Sequence, residues 1–221
     1  MALLGLTWAW VVRLQASVVG PTAQSTEFLA RAVVPGSVVI AIIVIVVYGP
    51  TWSGAVAATT RLCLPGTRRF FTAQTVVAAL MGAAGGALLA SIIQVAHAGA
   101  VDGQESIWGR FLSITVVASG CAVVAMLAIA LAVLWRQQAY ALIMVVGLFA
   151  ADRILENVAS RLGESCQFPY LSTPFSAATC LVRAPAAADI DMRASIIALL
   201  AIPLIAWMLA LWRAPQQEIG G

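Results

Sequence analysis

The sequence predicts an all-α membrane protein, a bundle of about six spanning helices with little mass outside the bilayer. Three observations predict it. Of 221 residues, 62% are hydrophobic and only 10% charged, whereas a soluble domain is nearer half apolar and a quarter charged. A soluble fold of this size would leave large apolar patches in water. The apolar residues also fall into runs of about 20, the length that crosses a bilayer as a helix, and short polar or Arg-bearing stretches separate them.

The first run, 2–20, is interrupted by Arg13 and Gln15. It lacks the basic start and clean apolar stretch of a secretory signal, so it reads as a retained helix. Arg13 is costly if it faces lipid; either it pairs with an acid on another helix, or this segment lies at the interface. The second run, 33–52, follows a polar loop containing Glu27 and includes ten consecutive apolar residues from Val38 to Val47. The stretch 59–72 holds Arg61, Arg68 and Arg69 with Pro65 and Gly66 and is the most basic in the chain. The third run, 73–98, carries Gly82, Gly85, Gly86 and Ala90. Small residues four apart line one helix face and permit close helix packing.

A short acidic loop with Asp102 and Glu105 leads to the fourth run, 108–134, and the polar turn Trp135-Arg136-Gln137-Gln138 leads to the fifth. The fifth helix covers 139–158; it is apolar to Ala151 and then carries Asp152, Arg153 and Glu156. The stretch 163–191, with Cys166 and Cys180, is the longest without a span, and the sixth run is 193–212. With the N-terminus inside, the inner stretches hold Arg61, Arg68, Arg69, Arg136 and Arg213, while the outer ones hold most of the acids. The excess of positive residues therefore favours both termini in the cytoplasm.

Composition excludes several chemistries. All twelve basic residues are Arg; without Lys there is no Walker A phosphate loop and no Schiff-base catalysis. The single His97 excludes a bis-His haem within the chain and an H-E-x-x-H zinc site. The four Cys show no C-x-x-C spacing, which argues against a metal or thioredoxin-like site. No basic cluster interleaved with aromatics points to nucleic acid, so the expectation is no metal, no cofactor and no enzyme activity in the chain itself.

Each remaining candidate has two readings. Arg61, Arg68 and Arg69, with Phe70 and Phe71 as apolar knobs, form either a docking segment for a partner or a topogenic basic loop. Asp152, Arg153 and Glu156 line a polar path or gate, or else mark where the fifth helix has left the hydrocarbon; Asp152 and Glu156 are four apart and share a helix face. Cys166 and Cys180 share an outer loop, where a disulfide forms readily, or they are two free thiols. His97 and the seven Trp residues read as interfacial, the Trp residues as an aromatic belt.

The order of features resembles ABC-2 type exporter permeases. The carriers are Tyr48-Gly49-Pro50-Thr51-Trp52-Ser53-Gly54-Ala55, then Arg61-Leu62-Cys63-Leu64-Pro65-Gly66-Thr67-Arg68-Arg69-Phe70-Phe71-Thr72-Ala73-Gln74. Trp135-Arg136-Gln137-Gln138-Ala139 looks like that family's Arg-x-Gln turn, Glu156 falls where a helix-five acid is common, and Pro169–Ser176 looks like its Leu-Pro-Phe element. Gln74 stands where the family has Lys, and the acid before Gly54 is absent. The resemblance implies an ABC-2-like (type V exporter) fold in a bacterial inner membrane. It also implies a second permease copy or homologue as partner, and a separate ABC ATPase that supplies ATP and Mg chemistry at 59–72. The alternative expectation is an accessory or assembly subunit of a larger membrane complex.

Overall fold

A bilayer offers the backbone no hydrogen-bonding partner, so an apolar chain that enters it satisfies its amides internally, as helices. The computed structural model describes residues 25–52, 66–98, 107–161 and 192–216. Among these residues every regular element is helical and there is no strand. They form α1 (Ser25–Tyr48), a 3-10 turn (Gly49–Trp52), α2 (Thr67–Ala98), α3 (Ile107–Trp135), α4 (Gln138–Arg161) and α5 (Met192–Gln216). Three segments are long and apolar enough to cross a membrane: Val33–Trp52, Thr67–Val95 and Arg110–Trp135; Leu199–Arg213 is a shorter apolar stretch. The expected first span, 2–20, lies outside the described residues.

Two helices begin earlier than the run of apolar residues suggests. α1 starts at Ser25 rather than Val33, because Ser25, Thr26 and Glu27 are residue types that open helices rather than loops. α2 starts at Thr67, so 67–72, read from sequence as part of a basic loop, is helical. Charge does not break a helix; Gly does. Gly66 has φ +97°, a conformation that costs glycine little, and its carbonyl accepts the Phe70 amide at 3.2 Å to close the first turn.

α3 is the centre of the bundle. It is apolar on every side, the pattern of a helix surrounded by others, and it packs against α1, α2, α4 and α5. From Val124 to Val133 almost every side chain is buried. α2 runs antiparallel to it along the small-residue row. An added Cβ at Gly82 would stand 2.6 Å from the Cys121 carbonyl oxygen and 2.8 Å from Ala125 Cβ. One at Gly86 would stand 2.8 Å from Cys121 Cβ and 3.0 Å from Ala118 Cα. Gly85 faces the other way, where a Cβ would lie 3.1 Å from Ile40 Cδ1 of α1. Between helices in lipid, such backbone contact supplies dispersion that the hydrophobic effect does not.

The α3–α4 turn is held by Arg136 in the left-handed region, φ 54°. Its amide bonds the Ala132 carbonyl and the Ala141 amide bonds the Gln137 carbonyl, both at 3.2 Å. A side chain there costs about 1 kcal/mol that glycine avoids. Arg136→Gly is therefore expected to raise the thermal midpoint of the purified protein in detergent and Arg136→Val to lower it. Equal midpoints would contradict this turn geometry.

Candidate functional site

The candidate site is the end of the bundle where α1 finishes, α2 starts, α3 turns into α4 and α5 finishes. Four contacts bring these pieces together. Trp52 meets Phe70 with ring centroids 5.7 Å apart and Phe71 edge-on at 5.9 Å. Phe71 stacks on Trp207 of α5 at 6.2 Å. A Cβ at Gly49 would touch Gln138 at 3.3 Å, which ties the 3-10 turn to the start of α4. Arg68, Arg69, Arg136 and Arg213 are all exposed at this end.

Local sequence explains the arrangement. Phe71 lies one residue beyond the solvent-facing Arg69–Phe70 edge of α2, and the helical twist turns it inward, where it is fully buried. Gln74 is three residues further on the same side and is also buried. Its carbonyl accepts the Trp52 indole N–H, and its amide donates to Thr51 Oγ1 at 3.1 Å. Thr51 in turn donates to the Tyr48 carbonyl at 2.6 Å, and the Tyr48 hydroxyl reaches Met81 Sδ at 3.4 Å. A satisfied amide in an apolar setting fixes geometry, because each lost partner would leave a costly buried polar group. The 3-10 turn is thereby fastened to the first two turns of α2.

The residues singled out from sequence separate into distinct places. Arg68 and Arg69 are exposed, Phe70 is half-buried and Phe71 is buried. Phe71 is thus not a surface knob; it is the peg that joins α2 to α1 and α5. Asp152 is buried at 1% exposure on α4, about 21 Å along the helix from Gln138 at a rise of about 1.5 Å per residue. It points into the bundle, where α4 meets α1 and α3. Arg153 is half-buried, with its guanidinium 5.5 Å from the centroid of the Phe149 ring. Asp152 and Arg153 thus place two ionisable groups side by side on α4, one buried and one half-buried. Arg61, Cys166 and Cys180 lie outside the described residues, as do 59–65 and 163–191, and so do the side chains of Glu156 and His97.

Sequence reasoning missed Trp52, Gln74 and Trp207 as members of one cluster. Read as an aromatic belt, the Trp residues divide: Trp135 and Trp212 are exposed, whereas Trp52 is buried at 3%. The available signal was Gln74, a lone amide in an apolar helix, which must find polar partners inside the protein. Among the described residues there is no cluster of His, Cys, Asp and Glu able to hold a metal ion. Comparison with protein-family models, curated proteins and solved structures gives no match.

Proposed function

We propose that the chain is a transmembrane subunit of an ATP-driven, ABC-2-like exporter, with six spans and both termini in the cytoplasm of a bacterial inner membrane. The carrying observation is the first turn of α2. It presents Arg68 and Arg69 outward while Phe71, two residues on, is fully buried between Trp52 and Trp207. A force applied to the arginines would pass to α1 and α5 as well as α2. A chain with no Lys cannot bind nucleotide through a Walker A loop, so ATP and Mg belong to a partner ATPase in this reading. Arg61 joins Arg68 and Arg69 as the contact, and the guanidinium fork suits a carboxylate-bearing partner surface. The interior around α3 is filled with Ala, Val, Leu and Ile, which supports a substrate path between two copies rather than through one. Arg153 and Glu156 would border that path with Asp152 buried behind them, and 163–191 would cover its outer mouth, with Cys166 and Cys180 available to brace it.

The second reading is an assembly subunit with no transport of its own. The filled apolar interior and the backbone-close α2–α3 contact favour it, since both describe a rigid scaffold. Affinity purification of the tagged chain in mild detergent, with identification of partners and assay of ATP hydrolysis, separates the two. The expected result is an ATPase that co-purifies with the wild-type chain and is lost with Arg68→Glu/Arg69→Glu, at least tenfold by recovered activity. Co-purification of other membrane proteins without any ATPase would favour the scaffold.

A further inference from the structure

The aromatic end of the bundle contains two indoles on either side of one phenyl ring, and their N–H groups differ. Trp52 donates to Gln74. Trp207 Nε1 is buried and has no hydrogen-bond partner among the described residues. A buried donor without an acceptor costs about 1–3 kcal/mol, so a conformation that supplied one would lie close in energy. The same aromatic cluster holds an acceptor in the Gln74 carbonyl. Phe71 stacks on Trp207 at 6.2 Å, and Gln74 is one turn along the same side of α2. A Gln carbonyl oxygen has two lone pairs, one of which Trp52 uses.

α5 also contains the means to move. Pro203 lies inside it, four residues before Trp207. A proline in a helix removes one i to i−4 hydrogen bond and pushes away the carbonyl a turn earlier, which makes that point the natural pivot. Beyond Pro203, Leu204, Ile205, Met208 and Leu209 are exposed, while Ala206, Trp207, Ala210 and Leu211 pack on the core.

We propose that the part of α5 beyond Pro203 is a strut with two positions, latched at Phe71, and that Gln74 accepts the Trp207 indole N–H in the second position. In the first, Trp207 stacks on Phe71 with its N–H unsatisfied, and the Gln74 carbonyl accepts the Trp52 indole. In the second, the strut pivots at Pro203 and Gln74 accepts both indoles or exchanges one for the other. The pivot carries Arg213, the exposed cation at the end of α5, relative to Arg68 and Arg69. The basic face then has two shapes, whatever binds it, so the latch does not depend on the exporter reading.

The test is ¹⁵N-tryptophan labelling of the full chain in detergent micelles, reading the seven indole N–H resonances. Trp207→Phe keeps the stacked ring, deletes one N–H and assigns the Trp207 signal by its absence. The expected result is a Trp207 resonance split or exchange-broadened between two environments, which becomes single and sharp in Gln74→Met, a side chain of similar shape without an acceptor. Pro203→Ala is expected to shift the populations by at least threefold. A single sharp Trp207 resonance in the wild type would overturn the proposal, as the indole would then occupy one environment, with or without a trapped water. A splitting that persists unchanged in Gln74→Met would overturn it equally. Near-ultraviolet dichroism and elution volume matching the wild type certify that each variant is folded.

Discussion

Gly82→Leu is expected to leave little folded protein, and Gly86→Leu nearly as little. At both positions even a Cβ would stand 2.6–3.0 Å from atoms of α3, and the atoms met include the Cys121 carbonyl and the Cα atoms of Ala118 and Ala122. Backbone cannot rotate out of the way as a side-chain tip can, so the helices must separate. Overpacking of a core costs about 1–3 kcal/mol where side chains can adjust, and here the upper figure is the starting point. Separation would also forfeit contacts along the whole α2–α3 seam, the most extensive in the bundle. Gly147→Ala on α4 is the matched control. Nothing lies within 4 Å of a Cβ there, and alanine is favoured over glycine in a helix by about 1 kcal/mol. It should be neutral or stabilising. Scanning fluorimetry in detergent would show the contrast; similar midpoints for Gly82→Leu and Gly147→Ala would mean that α2 and α3 do not meet along this row.

Phe71→Ala is expected to destabilise the protein by about 3–5 kcal/mol, the usual cost of truncating a fully buried aromatic. Two elements lose their shared partner on α2 at once, since Phe71 touches Trp52 in the 3-10 turn and Trp207 on α5. Phe70→Ala should cost clearly less, because Phe70 is only half-buried and, among the described residues, its ring meets Trp52 alone. Tryptophan emission offers a second readout. Opening the cluster admits water to Trp52 and Trp207 and should shift emission to the red in Phe71→Ala, with little change in Phe70→Ala. Equal effects would remove the distinction drawn between peg and edge.

The helical class and the approximate placement of the apolar runs 33–52, 73–98 and 108–134 were legible because both depend on local physics. Hydropathy and length say where a chain can enter lipid, and Trp135 to Gln138 declares a turn by polarity. The helix starts were less legible. Arg68 and Arg69 look like loop residues by charge, yet glycine at 66 sets the break, and Thr67 onward is helix. The two faces of the glycine row were not separable by spacing alone: Gly82 and Gly86 meet α3 while Gly85, one residue before Gly86, meets α1. Which way Phe70 and Phe71 point is a question of helical phase, and phase depended on a start position that the sequence reading placed six residues late. The Trp52–Gln74–Trp207 grouping is tertiary throughout. It joins residues from positions 52 to 207, and no local pattern links them. Asp152 was flagged by type and proves to face inward, but its neighbours depend on how α4 is rotated, which hydropathy does not fix.

Cys121 gives the α2–α3 seam a built-in gauge. It is the free cysteine among the described residues, it is buried, and its Sγ would lie 3.0 Å from a Cβ at Gly86. A maleimide cannot reach a sulfur enclosed in this way until the two helices part. The rate of alkylation at the Cys121 peptide, followed by mass spectrometry, therefore counts the fraction of molecules in which the seam is open. The same clock would run faster in any variant or bound state that loosens the bundle, and it needs no engineered label.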